Sequence, residues 1–116
     1  MNEERSNRLA TPLGEKIRAQ RKRLSLTMEE LAARTESSKS YIWDLENRPV
    51  VRPSADKIKR IADALGVSVE FLIDEEKSEM TRSEADEVFF RKIGKLDASK
   101  RTQLERFLKA IEGEDE

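Results

Sequence analysis

The sequence predicts an all-α fold, and two observations support this prediction. Apolar residues recur at helical spacings of three, four and seven, whereas the alternation typical of a strand never persists over four residues. Residues that cap helices, mainly Ser, Thr and Asp, precede most of these apolar stripes. With 116 residues, the chain is long enough for one small domain and an appendage.

The first two helices are predicted from their N-termini. Thr11 followed by Pro12 is typical of a helix start. The apolar stripe that follows consists of Leu13, Ile17 and Leu24. Thr27 and Glu30 have the spacing of a capping box, in which each side chain bonds the other residue's main-chain N–H, so a short second helix is expected.

Three further helices are predicted before residue 74. Ser37 or Ser38 can cap a third helix over residues 39–46. Ser54 caps a fourth helix that Gly66 ends, and Ser68 caps a fifth. Their predicted inner faces consist of Ile42 and Leu45, then Ile58, Ile61, Ala62 and Leu65, then Val69, Phe71, Leu72 and Ile73.

The rest of the chain is predicted to form flanking segments. Residues 1–10 are expected to be a flexible arm, residues 74–82 an acidic linker and residues 83–116 a segment of two helices. Gly94 should end the first of these helices, and Asp97 or Ser99 should cap the second. Their apolar stripes consist of Ala85, Val88, Phe89 and Ile93, then Leu104, Phe107, Leu108 and Ile111.

The composition excludes several functional classes. Charged residues make up 41% of the chain, and neither Cys nor His is present. This excludes Cys/His zinc sites, thiol nucleophiles, disulfides and His-dependent triads. Because no Gly-rich phosphate loop and no base or metal constellation is visible, we expect neither an enzyme nor a cofactor. No apolar run approaches the ~20 residues of a membrane span and the start lacks a secretory signal, so a cytoplasmic protein is expected.

The charge is divided unevenly along the chain. Residues 1–60 hold 14 Lys and Arg against 9 Asp and Glu, a net charge of +5, and residues 61–116 hold 9 against 15, a net charge of −6. A basic first half indicates an anionic partner such as nucleic acid, although surface helices are often this charged for solvation alone.

Two blocks of sequence resemble the helix-turn-helix domain of phage Cro/CI-type repressors, the XRE family. The first block is residues 26–47 (LTMEELAARTESSKSYIWDLEN), and the second is residues 62–72 (ADALGVSVEFL). The resemblance implies a five-helix, lambda-repressor-like DNA-binding domain over residues 11–73, followed by a short C-terminal helical hairpin. It implies that the third helix enters the major groove of double-stranded DNA.

The same resemblance assigns candidate site residues. Those implied to face DNA bases or backbone are Ser38, Lys39, Ser40, Trp43, Asp44 and Asn47. Those implied to bind phosphates are Arg48, Arg52, Ser54 and Lys57. Arg21 and Glu46 interrupt apolar faces, and the resemblance implies an ion pair between them; the alternative is that both reach water. Instead of contacting DNA, Asp44 could pair with Arg48 four residues further along the chain. Trp43 could instead cover the edge of the domain or bind a protein partner.

Three positions depart from the family pattern. Met28 stands where related domains have a glutamine that binds a phosphate and the recognition helix, so this anchor is missing. Glu36 occupies a turn position where glycine is usual because the backbone there is left-handed; glutamate would bear a strain of roughly 1 kcal/mol, or the turn differs. Ser37 replaces the usual apolar residue of the turn.

The two C-terminal helices are too short to be stable alone and must pack against something. Resembling repressors have a dimerisation device here, which implies a homodimer on a palindromic operator. The residues expected at the dimer seam are Val88, Phe89, Ile93, Leu104, Phe107, Leu108 and Ile111. The alternatives are packing within the chain and docking of another protein.

The leading hypothesis is therefore a sequence-specific regulator of transcription, most simply a repressor. One alternative is the DNA-binding antitoxin of a toxin–antitoxin pair, whose C-terminal helices would hold the toxin. Another is an interaction module that has lost DNA binding, with a protein antagonist as its partner.

Overall fold

The computed structural model of the protein describes residues 10–49 and 52–113. Within these residues it has seven helices and no strand. The helices are α1 (Pro12–Arg23), α2 (Met28–Arg34), α3 (Lys39–Asn47), α4 (Ala55–Leu65), α5 (Val69–Ile73), α6 (Arg82–Gly94) and α7 (Ala98–Glu112). The all-α prediction is confirmed, whereas almost all of the predicted N-terminal arm lies outside the described residues. None of the described helices is long and apolar enough to cross a membrane.

Every one of these helices begins at a side chain that accepts a hydrogen bond from a main-chain N–H of the first turn. The caps are Thr11, Thr27, Ser38, Ser54, Ser68, Thr81 and Asp97. All but Thr81 were expected from the sequence. Thr81 and Glu84 form a second capping box, with hydrogen bonds of 3.1 and 2.8 Å, so α6 begins at Arg82, inside the predicted linker.

One apolar core lies among α1–α5. Its buried residues are Ile17, Leu31, Ala32, Ile42, Leu45, Ile58, Ile61, Ala62, Leu65, Val67 and Leu72. Leu24 and Ile73, which were expected on inner faces, are instead 45% and 57% exposed. Both stand at a helix end, Leu24 as the residue that caps α1 and Ile73 as the last residue of α5, where the helical stripe no longer points at the core.

The two C-terminal helices are attached to this core very differently. On α6, Val88 is buried, and Arg91 and Lys95 reach the carboxylate of Asp63 on α4 at 2.7 and 2.9 Å. By contrast, no residue of α7 is buried. The protein accordingly extends over 61 × 28 × 27 Å, and the predicted hairpin does not cover its own apolar side chains.

Candidate nucleic-acid interface

The helix α2, the following turn and α3 form a helix-turn-helix unit. In the turn, Glu36 has a φ of 56°, so the left-handed conformation is kept although the residue has a Cβ. Thr35 is buried, and its Oγ1 donates to the carbonyl oxygen of Leu31 at 2.9 Å. The turn therefore keeps its geometry without the usual glycine, and of the two outcomes expected for Glu36 the structure shows the strained one.

Lys57, in the first turn of α4, holds this turn from outside. Its Nζ donates to the carbonyl oxygens of Thr35 and Glu36 at 3.0 and 3.1 Å and to Ser37 Oγ at 2.8 Å. Arg60, three residues further along α4, pairs with the Glu36 carboxylate. Because an ammonium group has three donors, all those of Lys57 are used within the protein. The phosphate contact expected for Lys57 would require these bonds to be exchanged.

The position of α3 is fixed by two features of α1. Arg21 Nε and Nη2 donate to the Glu46 carboxylate at 2.6 and 2.9 Å, and Nη1 donates to the carbonyl oxygen of Leu26 at 2.9 Å. Both side chains are buried, so the ion pair implied by the resemblance is present in the protein interior. Gly14 allows the helices to touch, because a Cβ there would lie only 2.3 Å from the carbonyl oxygen of Leu45.

The side of α3 opposite this packing carries the residues that the sequence assigned to DNA. We name it the recognition face; it consists of Ser38, Lys39, Ser40, Trp43, Asp44 and Asn47. The first four residues are exposed and the last two half-buried, whereas Ile42 and Leu45 point into the core. The structure therefore brings all six residues to one surface, and their contact with DNA stays a prediction.

Several of these residues already have partners inside the protein. Ser38 Oγ accepts a hydrogen bond from a main-chain N–H of α3 at 3.0 Å, and Asn47 Nδ2 donates to the carbonyl oxygen of Trp43 at 2.9 Å. Arg48 pairs with Asp44 at 3.1 Å, and its guanidinium lies over the Trp43 ring, 5.6 Å from the centroid. The pairing considered as an alternative for Asp44 is thus present in the free protein.

Lys39, the first residue of α3, is paired with Glu29 in the first turn of α2. The distance between Lys39 Nζ and Glu29 Oε2 is 3.2 Å, and the two side chains are 60% and 64% exposed. A hydrogen bond from the main chain is the largest cause that lowers the pKa of the Glu29 carboxyl, and the hydrogen bond and charge of Lys39 lower it further. The sequence pattern did not mark Glu29 as a site residue.

The other departures from the family pattern have local consequences. Met28 is partly buried and packs against the core, so it supplies apolar contact where a polar anchor is usual. Ser37 accepts a hydrogen bond from Lys57, so the turn gains a polar tie in place of apolar burial. Among the remaining predicted phosphate ligands, Ser54 caps α4, and Arg52 is exposed beside residues 50–51, which lie outside the described ranges.

The candidate dimerisation residues lie on α6 and α7 and are mostly exposed. Phe89, Phe107, Leu108 and Ile111 are 54%, 63%, 45% and 65% exposed. Ile93 and Leu104 are half-buried, and Val88 is buried. Val88 therefore serves the internal packing of α6, whereas the others remain available to a partner. Phe90 is 66% exposed and adds to the apolar surface of α6 and α7. It was not among the predicted residues, because it directly follows Phe89 and so does not have the helical spacing of the stripe.

A short capped helix, a left-handed turn and a second helix with an exposed polar face, all fixed on a small helical core, define a helix-turn-helix domain. Residues 17–72 of the chain form a domain of the helix-turn-helix family of phage Cro/CI-type (XRE) proteins. The family profile, described as helix-turn-helix, matches residues 17–72. This range lies within the domain predicted over residues 11–73.

Comparison with individual proteins supports the same assignment. The immunity repressor protein of Bacillus phage phi105 is 35% identical in an 82-residue alignment, and the match covers 66% of this chain and 56% of the repressor. The chain thus spans little more than half of that relative's length. The N-terminal DNA-binding domain of SinR from Bacillus subtilis is 33% identical, with a TM-score of 0.52, over 58% of this chain and 96% of the domain.

A second solved structure extends the likeness in fold. A SinR protein/SinI protein complex matches 87% of this chain and 98% of the matched chain, with a TM-score of 0.53 and 22% identity. At this identity the match concerns the fold alone. Its coverage reaches beyond the five-helix domain into the C-terminal helices.

Proposed function

We propose that the protein is a transcriptional repressor that binds double-stranded DNA sequence-specifically, with α3 in the major groove. The observation that carries this proposal is the recognition face, which the buried Arg21–Glu46 pair holds in a fixed orientation. The similarity to the SinR DNA-binding domain and to a phage immunity repressor supports it.

Each part of the recognition face has a chemical use in this setting. Lys39 can donate to guanine O6 and N7 or to a phosphate, and Ser40 can bond either a base edge or the backbone. Trp43 offers an apolar surface to a thymine methyl group. Arg48 lies just after α3 and Arg52 in the loop beyond it, and both can donate to flanking phosphates. Phosphate contacts fix register but carry no sequence information.

We further propose that the protein acts as a homodimer through α6 and α7. The last helix buries no residue in the single chain, and its stripe of Leu104, Phe107, Leu108 and Ile111 is left largely exposed. A 15-residue helix is marginal in water without a packing partner. A second copy presents the same stripe, and a two-fold pair of recognition helices matches a palindromic operator.

Selection from a pool of random-sequence DNA duplexes tests the DNA-binding proposal. The expected result is a two-fold symmetric motif. Lys39→Ala and Arg52→Ala should weaken binding to the selected duplex without loss of helix content, whereas Lys109→Ala, the same charge change on α7, should bind as the wild type does. A folded protein that enriches no sequence would overturn the proposal and favour an interaction module.

Sedimentation tests the homodimer. The wild type should sediment as a dimer, and Leu104→Asp combined with Leu108→Asp should sediment as a monomer. Thr102→Asp combined with Ala110→Asp adds the same charges to exposed positions off the apolar stripe and should leave the dimer intact. A monomeric wild type, or a dimer that survives the Leu variants, would refute this seam. A monomer would direct the search to a protein partner, as in an antitoxin.

A further inference from the structure

Two exposed cations at the proposed DNA surface are held by carboxylates of the same chain. Lys39 Nζ lies 3.2 Å from Glu29, and Arg48 Nε lies 3.1 Å from Asp44. These two cations stand at opposite ends of α3, the first at its first residue and the second just after its last. The free recognition face therefore presents ion pairs rather than bare positive charge.

We propose that Glu29 and Asp44 hold Lys39 and Arg48 in ion pairs in the free protein and thereby lower its affinity for DNA. This inference rests on the proposed function, because it concerns how strongly that surface binds DNA. Both carboxylates act through the cations they hold, so they are positioning residues for those side chains.

The physical reason lies in the origin of non-specific affinity. Binding to DNA of any sequence comes almost entirely from cations that neutralise phosphates and release counterions. A cation that is already paired must first break its ion pair, and its carboxylate is then left facing the phosphate backbone. Because exposed ion pairs are weak, each pair should lower non-specific affinity by no more than about fivefold.

The loss is the same whichever DNA is bound. A guanine at the correct position offers Lys39 two acceptors, O6 and N7, in a fixed geometry. At any other site Lys39 gains a phosphate contact instead. In both complexes the contact with Glu29 is given up first, so the carboxylates lower the specific and the non-specific affinity by a similar factor.

The test compares Glu29→Gln and Asp44→Asn with Glu70→Gln, which makes the same charge change on α5, away from α3. Each protein is titrated with the duplex selected by the wild type and with a duplex of scrambled sequence, over a range of salt concentrations. We expect both site variants to bind the scrambled duplex about two- to fivefold more tightly than Glu70→Gln does. The salt slope on that duplex should steepen by up to about 0.9, because the freed carboxylate of the wild type offsets the charge of one neutralised phosphate.

A double variant separates positioning from direct base contact. In an Arg48→Gln background, Asp44→Asn should no longer tighten binding to the scrambled duplex, because Asp44 has lost the cation through which it acts. Site variants that bind both duplexes no more tightly than Glu70→Gln does would overturn this inference while DNA binding stands. A wild type that binds no duplex would overturn both.

Discussion

The buried pair between Arg21 and Glu46 should determine whether the five-helix domain folds. Removing one partner leaves the other charge buried without compensation, which costs roughly 3–5 kcal/mol. A domain of this size has a total unfolding free energy of roughly 3–9 kcal/mol. We therefore expect Arg21→Met and Glu46→Leu, made singly, to lose a large part of this free energy, and to unfold at ambient temperature where the total lies at the low end of the range. The exposed pair of Asp44 and Arg48 provides the matched control, and its removal should cost less than about 1 kcal/mol.

The double variant Arg21→Met with Glu46→Leu gives the sharper result. Two apolar side chains can fill the space of the pair, so the uncompensated charge disappears. The carbonyl oxygen of Leu26 loses its donor in this variant. If the oxygen stays buried, this loss lowers the unfolding free energy by about 1–3 kcal/mol. Urea unfolding followed by circular dichroism measures all three variants. Single variants that lose less than about 1 kcal/mol, or a double variant that loses the sum of the single losses, would refute this account.

Three further predictions concern backbone geometry and helix ends. Gly14→Ala should cost about 1–3 kcal/mol of unfolding free energy and weaken DNA binding, because its Cβ would lie 2.3 Å from a main-chain oxygen of α3; Gly94→Ala, whose Cβ would meet nothing within 4 Å, should cost nothing. At position 36, Glu36→Gly should be more stable than Glu36→Ala by about 1 kcal/mol, since only glycine relieves the left-handed strain; the reverse order in thermal unfolding would refute it. The hydrogen bond from the Thr81 N–H holds the pKa of Glu84 below 4.5. The stability that this bond adds to α6 is therefore complete above pH 4.5 and is lost as the pH falls through the lowered pKa. Hydrogen exchange in the first turn of α6 should show this loss in the wild type but not in Glu84→Ala.

The fold could be predicted largely because its determinants are local. A capping residue and its acceptor lie three positions apart, and an apolar stripe is visible within two turns, so helix boundaries follow from short stretches of sequence. The errors occurred where the stripe reaches a helix end, as at Leu24 and Ile73. Thr81 was missed because the acidic run around it carries no apolar stripe to mark a helix start.

The interface could be predicted only in part, because its supporting contacts are long-range. The recognition face follows from the spacing of Ile42 and Leu45, which fixes the opposite side of α3. No local pattern, however, shows that Lys57 would reach a turn some twenty residues earlier, or that Gly14 would touch α3. Such partners become visible only once the helices are packed.

The contrast between the two halves of the chain bears on how assembly and DNA recognition are linked. The five-helix domain satisfies its own buried groups, including the ion pair that orients α3, so its recognition face is preformed in a single chain. α7 has caps at both ends, Asp97 and Gly113, yet none of its residues is buried against the rest of the described chain. Its helical order should therefore depend on its partner, and the helix content of the C-terminal segment should rise with protein concentration while that of the first five helices stays constant. In the proposed dimer the number of recognition helices doubles without a change in either one, so protein concentration should act on DNA affinity through the association of α6 and α7.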